Sequence, residues 1–487
     1  MAAPKPPATK RLYDVCVLGD GLGASAAGAL LSRRRLRVLL LETGRQAPLV
    51  HGGWVIPRRP ELAPAVRQVP ALEALLGELG LQNEAARTQE PLGTELQVVV
   101  ARHRMELCRQ PSALLAELKR EWPEDAGRLA AALEALLVGC DASAHALKLF
   151  PPLPPAGFFD RLAVRRALRQ GARAARARPD AAPLTPLAAH PLAAALLALP
   201  GFLARLDGPV SGLAQSRLCG AALRGLHRHA SGQPELAEAL KRRITEARGE
   251  VLGHPDDPAR LEAVESDGRQ LTTLRLAGTA DVYAARAFVL AGPLAWLRPL
   301  VRGQKEAGGK PAPAGPSQGR RLAALHLVLH PGARPPGLGP AALRLGEGDG
   351  PGEAVLLELA PARRDPRAGG EKKGSGELLA SLWTLAAPGA GPDPAAAKRL
   401  EDALAELLPF HAGHLVHRHD PEPAPHLLQV AEPYLGVAGP SLRSPWKNLV
   451  LGGPELLPGL GQEGEIYAAT QAATRAIAFL GVKDRAP

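Results

Sequence analysis

The sequence predicts an α/β chain of two interleaved units: a parallel-sheet nucleotide domain assembled from three separate segments, and an α+β domain inserted among them. Three observations predict it. An apolar strand run, Tyr13 to Leu18, leads into a glycine turn, Gly19-Asp20-Gly21-Leu22-Gly23-Ala24. A second apolar run, Arg37 to Leu41, ends in an acid, Glu42. Near the other end, Asn448 to Leu451 is again a strand run, entering Gly452-Gly453. At 487 residues the chain exceeds what one core supports, which fits two domains.

The first segment reads as strand, tight turn, helix, strand and acid, the order of a Rossmann βαβ unit. Tyr13 to Leu18 is β-prone and apolar throughout, as a buried parallel strand is. Gly19 permits the turn, and Gly21 lets the backbone approach a diphosphate. Ala24, in the third glycine's place, allows close packing of helix on strand. The small-residue helix from Ser25 to Ser32 presents unpaired N–H groups and a partial positive charge at its start. Glu42 lies 23 positions beyond Gly19, where it can accept hydrogen bonds from a ribose; an acid there disfavours a 2′-phosphate. A glycine turn of any α/β protein is the alternative, but the strand, helix and acid around it favour a nucleotide site; this unit alone does not separate FAD from NAD.

The pattern returns near residue 235. Pro234 to Arg248 has the periodicity of an amphipathic helix and runs into Gly249-Glu250-Val251-Leu252. Two strand-like pieces separated by turns follow, and Phe288 to Ala291 reads as a buried strand ending at Gly292-Pro293. After Gly453 come Pro458-Gly459, Gly461 and Gly464, then a small-residue helix from Glu465 to Leu480.

Together these segments resemble the phytoene desaturase and carotenoid isomerase-like flavoproteins, a branch of the flavin-containing amine oxidase superfamily. The resemblance covers most of 12–60, 225–300 and 440–482. It implies a glutathione-reductase-like FAD/NAD(P)-binding fold, with nucleotide-domain parts at 12–60, 226–302 and 441–482 and a substrate domain from 61–225 (helical) and 320–440 (sheet). It implies FAD as cofactor, contacted by Gly19, Gly21, Leu22, Gly23, Ala24, Glu42, Thr43 and Gly53. Val251 would meet the adenine end, and the strand before Gly292 would complete the nucleotide domain. Gly453, Gly459, Gly461, Gly464, Glu465 and Ile466 would supply the C-terminal loop against flavin and diphosphate. No cysteine lies near that loop, so the flavin is expected to be non-covalent. Three positions depart from the family pattern: Trp54 follows Gly52-Gly53 where arginine is usual, Leu456-Leu457 replaces Thr-His, and Gly28 replaces alanine. No catalytic residue is singled out.

In the second unit, 62–79, 111–149, 158–178 and 188–206 show helical spacing with proline breaks. Leu322 to Leu329, Ala354 to Leu359 and Leu378 to Thr384 read as strands, and 394–408 as a helix. The polar stretches 303–320 and 363–376 read as mobile loops. Leu147 to Leu162 sets Phe150, Phe158 and Phe159 among prolines, just before the arginine-rich 161–178. Two readings compete there: a buried proline-rich connection beside a solvated basic face, and a peripheral contact with an anionic membrane. His411, His414, His417 and His419 share no helix face, so no metal site is expected.

The net charge of +11 favours anionic partners, but no basic patch interleaved with aromatics occurs, so nucleic acid is not expected. The four dispersed cysteines and an N-terminus without a secretory apolar core point to the cytoplasm, with membrane attachment at its inner face if the aromatic segment docks. No apolar run reaches about 18 to 20 residues, so no span is expected. The leading expectation is an FAD-dependent dehydrogenase, desaturase or isomerase acting on a small apolar, polyene or isoprenoid-like substrate. An amine oxidase, with Trp383, Trp446 and Tyr434 as its aromatics, and a flavin-binding protein without turnover are the alternatives.

Overall fold

The computed structural model describes residues 9–44, 49–92, 96–155, 157–176, 182–208, 210, 212–229, 234–254, 257–303, 318–365, 376–388, 392–420, 426–429 and 442–482. Residues 304–317 and 366–375, at the centres of the two polar stretches, lie outside these, as does Tyr434.

The first sheet has a parallel core ordered Glu250–Leu252, Val38–Leu41, Lys10–Leu18, Val282–Leu290 and Leu449–Leu451. Its central runs, Val15 to Leu18 and Val38 to Leu41, are wholly apolar and buried, as strands covered by helices are. The strand Val282–Leu290 forks. Its end pairs in parallel with Leu449–Leu451, while its beginning pairs antiparallel with Leu271–Leu276. Asn448 seals the fork, exchanging hydrogen bonds with both backbone groups of Leu271 and donating to the Arg286 carbonyl. A buried amide satisfied on both sides fixes the register that the apolar runs alone leave free.

Two helices clamp the fingerprint helix Gly21–Arg33: Pro234–Glu246 and the C-terminal helix Gln462–Phe479. Close approach explains one departure in the first motif. A Cβ on Gly28 would come within 2.6 Å of Ile244 Cδ1, so the glycine makes room for a branched side chain of the neighbouring helix. Ala468, Ala469, Ala472, Ala473 and Ala476 keep the C-terminal helix equally close.

The second sheet runs His103–Glu106, Gln97–Val100, Ala341–Leu345, Val355–Pro361, Leu378–Ala386, Gln318–Leu329, His426–Gln429 and Leu206–Asp207, with Leu415–His419 also on Gln318–Leu329. Helix Pro394–Leu407 covers one face, and Ala126–Lys148 and Pro191–Ala204 pack in the second core. Ala126–Lys148 is long and apolar enough to cross a bilayer, but it buries Leu129, Leu133 and Leu136 among that core. The expected helix at 62–79 begins only at Pro70, because Leu62–Pro64 pairs as a strand with Leu226–His229. That helix, expected in the second unit, packs in the first core.

Candidate dinucleotide site

The site forms where the parallel strands end. Leu18, Leu290 and Leu451 are in register on adjacent strands, so Gly19, Ala291 and Gly452 leave the sheet side by side. Ligands of open α/β sheets bind in the crevice outside these carboxyl ends. Gly19 holds φ +139° and a Cβ there would stand 2.8 Å from the Ala291 carbonyl oxygen. Gly21 opens the helix at φ +81°. Both conformations belong to glycine.

The acid at the end of the second strand is buried and engaged. Both Glu42 carboxylate oxygens accept from Lys241 Nζ, at 3.0 and 2.9 Å, and Lys241 also binds Glu238. Burial pushes the Glu42 carboxyl upward, and Lys241 pulls it back. Val251 pairs beside Leu40, and the Glu42 N–H donates to the next carbonyl, Leu252, so Val251 sits close to the acid. Thr43 is held by Asp20, whose carboxylate accepts from the Thr43 N–H, the Thr43 hydroxyl and the Gly44 N–H. Asp20 therefore makes no cap bond to its own helix.

That helix is capped from the far end of the sequence. The Gly23 N–H donates to Glu465 Oε1 at 2.9 Å across 442 positions, and the Glu465 side chain lies against Gly23 with little solvent exposure. Leu22, Ala24 and Ile466 are buried around the contact. Gly453 begins the C-terminal loop, and Gly459 is buried within it. Gly461 turns at φ +58° against Ala204. At Gly464 any Cβ would overlap the Leu457 carbonyl; Leu456 and Leu457, the substituted pair, are fully buried apolar packing. Gly292 faces open space beyond its strand.

Gly53 lies at the turn of a separate hairpin. The Leu49–His51 and Trp54–Ile56 hairpin docks on the second sheet, with the Trp54 ring packed on Val328 and Leu379 and the Arg364 guanidinium 4.1 Å above it. The missing arginine of the second motif is thus an aromatic anchor between sheets.

A cleft of about 60 Å³ adjoins the seat and is lined by Arg59, Phe202, Arg205, Arg217, Glu463 and Glu465 among others. Arg217 and Glu463 form an ion pair at 2.7 Å with both side chains almost wholly buried. Burial raises the Glu455 carboxyl to about 7. These charges, and Lys241, carry no signal in the sequence, where isolated charges read as solvated. The histidines converge differently from any helix pattern: His51, His326, His417 and His419 gather at the hairpin, with His51 Nδ1 2.9 Å from His417 Nε2. Among the described residues no group of three His, Cys, Asp or Glu side chains is arranged to hold a metal.

No protein-family profile and no characterised protein matches the sequence. Solved structures do match the fold. Putrescine oxidase bound to putrescine superposes with TM-score 0.56 at 14% identity, covering 96% of this chain and 100% of that one. Cyclohexylamine oxidase from Brevibacterium oxydans gives 0.55 at 16%, covering 96% and 99%. Rab GDI from Plasmodium falciparum gives 0.50 at 12%, covering 91% and 92%. The chain has their fold, an α/β Rossmann-type domain with a second α+β domain. A fold shared by two oxidases and a Rab GDI leaves the chemistry to be argued from the site.

Proposed function

We propose that the chain is an FAD-dependent oxidoreductase that holds its flavin non-covalently. The observation that carries this reading is the meeting of the fingerprint helix, Glu42 and the C-terminal glycine loop at one crevice. The residues there fit such a group. Gly21, at positive φ, opens the helix that would face a diphosphate, and Glu42 with Val251 stands at the adenosine end. Glu455 Oε2, Gln462 Nε2 and Glu463 Oε1 are buried without a hydrogen-bond partner among the described residues, so the loop has polar capacity to spare. When bound, a flavin supplies two-electron redox chemistry; the chain supplies binding, orientation and exclusion of water.

The finer reading is a dehydrogenase, desaturase or isomerase acting on an apolar, polyene or isoprenoid-like substrate. Its support is the sequence resemblance together with an apolar cavity of about 340 Å³ lined by Leu197, Ala198, Pro200, Leu206, Val210 and Leu385. Helix Pro191–Ala204 borders both this cavity and the cleft. The two oxidases above favour amine oxidation as the second reading. Two of the three aromatics expected to wall its pocket are engaged in cores: Trp383 is buried, donating to Glu358, and Trp446 packs in the first core. Anaerobic addition of polyenes and of amines to the purified holoprotein tests these readings. Bleaching of the flavin band by polyenes supports the first, bleaching by amines replaces it with the second, and bleaching by neither leaves a flavin-binding protein without turnover.

We also propose peripheral attachment to an anionic membrane, at the inner face. Phe158 and Phe159 are 75% and 80% exposed, with Leu149 and Leu162 beside them in the sequence above half. Their helix, Phe158–Ala175, already buries Val164, Ala167, Leu168 and Gly171, while Arg161, Arg165, Arg166, Arg169 and Arg173 are exposed. Apolar tip and cationic face together suit a lipid surface. In vesicle flotation, F158S/F159S should lose binding to anionic vesicles with its melting temperature unchanged; retained binding would refute the assignment.

A further inference from the structure

An internal anion holds the place that a diphosphate needs. The first turn of a helix leaves about four N–H groups without intrahelical partners, and an anion there gains from the hydrogen bonds and from the dipole. In the fingerprint helix the local candidate, Asp20, is committed to Thr43 and Gly44. The Gly23 N–H, third in the helix, binds Glu465 Oε1 instead. The fit is built in on both sides. A Cβ on Gly23 would sit 2.7 Å from Glu465 Cγ, so only a bare backbone admits this side chain, and Glu465 is 4% exposed. A second observation points to an anionic ligand: Gln462 Nε2, a donor on the cleft wall that Glu465 also lines, is buried and unpartnered among the described residues. Arg59 lines the cleft beside Glu465 and interacts with it electrostatically.

We propose that the Glu465 carboxylate is the resident anion of the dinucleotide seat, and that a diphosphate enters by displacing it toward Arg59. The identity of the entering ligand rests on the FAD reading; the occupied seat does not. Glu465 then sets affinity: two anions cannot share the same amides, so binding carries the cost of moving one.

The test is titration of the purified, flavin-stripped chain with FAD, followed by flavin fluorescence, and with ADP, followed by calorimetry. ADP carries the diphosphate without the flavin. E465Q should bind both at least ten-fold more tightly than the natural chain. If the natural chain binds FAD and E465Q binds it no more tightly, the resident-anion inference falls and the flavoprotein reading stands. If only E465Q binds, the inference stands and the natural chain is no flavoprotein. If neither binds, both fall. Circular dichroism checks folding, and R59A keeps the proposal testable if E465Q does not fold. Deprived of its receiving guanidinium, the displaced carboxylate should lower FAD affinity at least five-fold; unchanged affinity overturns the proposal. In the E465Q background R59A should have no effect, and an equal loss there would make Arg59 a direct diphosphate ligand and overturn the proposed route.

Discussion

Replacing Lys241 by methionine should cost about 3 kcal/mol of stability at pH 7, by an amount that shrinks as the solution is acidified. Lys241 Nζ binds both oxygens of Glu42, and each side chain of the pair is 8% exposed. Removing one partner of a buried pair typically costs about 3–5 kcal/mol. A ceiling follows from proton binding. Burial already pushes the Glu42 carboxyl upward, Lys241 is the group that pulls it back, and Glu238 and Asp20 push it further up, so without Lys241 the carboxyl takes up a proton rather than stay charged. Protonating a carboxylate of ordinary pKa about 4.3 at pH 7 costs about 3.7 kcal/mol, at about 1.36 per unit. The folded-state pKa then lies above the unfolded one, so the folded state binds the extra proton and the deficit eases as pH falls. At pH 5 the same ceiling is about 1 kcal/mol. Reversible urea unfolding, read by circular dichroism from pH 5 to 8 with separate transitions fitted for the two domains, measures both quantities. The double variant E42Q/K241M should recover most of the loss. A K241M deficit below about 1 kcal/mol at pH 7, or one that does not change with pH, would refute the reasoning.

Gly464→Ala should destabilise by about 1–3 kcal/mol in thermal melting, because the added methyl overlaps the Leu457 carbonyl and backbone cannot step aside there; an unchanged melting temperature would mean that the loop is looser than described. Burial, then His419, depress His326 to about 3. Its contribution to stability is therefore whole above about pH 6.5 and is lost toward pH 3 at up to about 1.4 kcal/mol per unit, so H326L should flatten the acid limb of the stability profile, and an unaltered slope between pH 6.5 and 4 would assign acid sensitivity elsewhere.

The parts legible in the sequence were those whose cause is local. The strand, glycine turn, helix and acid from Tyr13 to Glu42 are set by apolar runs and by glycines whose backbone angles other residues avoid. Helices Pro394–Leu407 and Gln462–Phe479 followed from periodicity and small-residue content. Other features are long-range. Gln97–Val100 forms a local hairpin with His103–Glu106, but only Ala341–Leu345, far along the chain, places that hairpin in the second sheet. Lys241 reads as a solvated charge next to Leu240 and within reach of Glu238, and the buried Glu42, 199 positions away, carries no mark of pairing with it. The placing of Gly53 is long-range too: Trp54 fixes its hairpin by packing with Val328 and Leu379 of the second sheet.

The bond between Gly23 and Glu465 has a consequence for biosynthesis. Its partners are 442 residues apart, and at ribosomal rates of about 5–20 residues per second the earlier one waits roughly 20 to 90 seconds for the later. From the synthesis of Val282–Leu290 until the end of that interval, the nascent nucleotide domain lacks the strand Leu449–Leu451 and the helix after it, leaving the apolar flank of Val282–Leu290 uncovered. Such a polypeptide has reason to depend on chaperones during translation, and truncation ahead of Glu465 would release a chain whose opening segment never finds its mate.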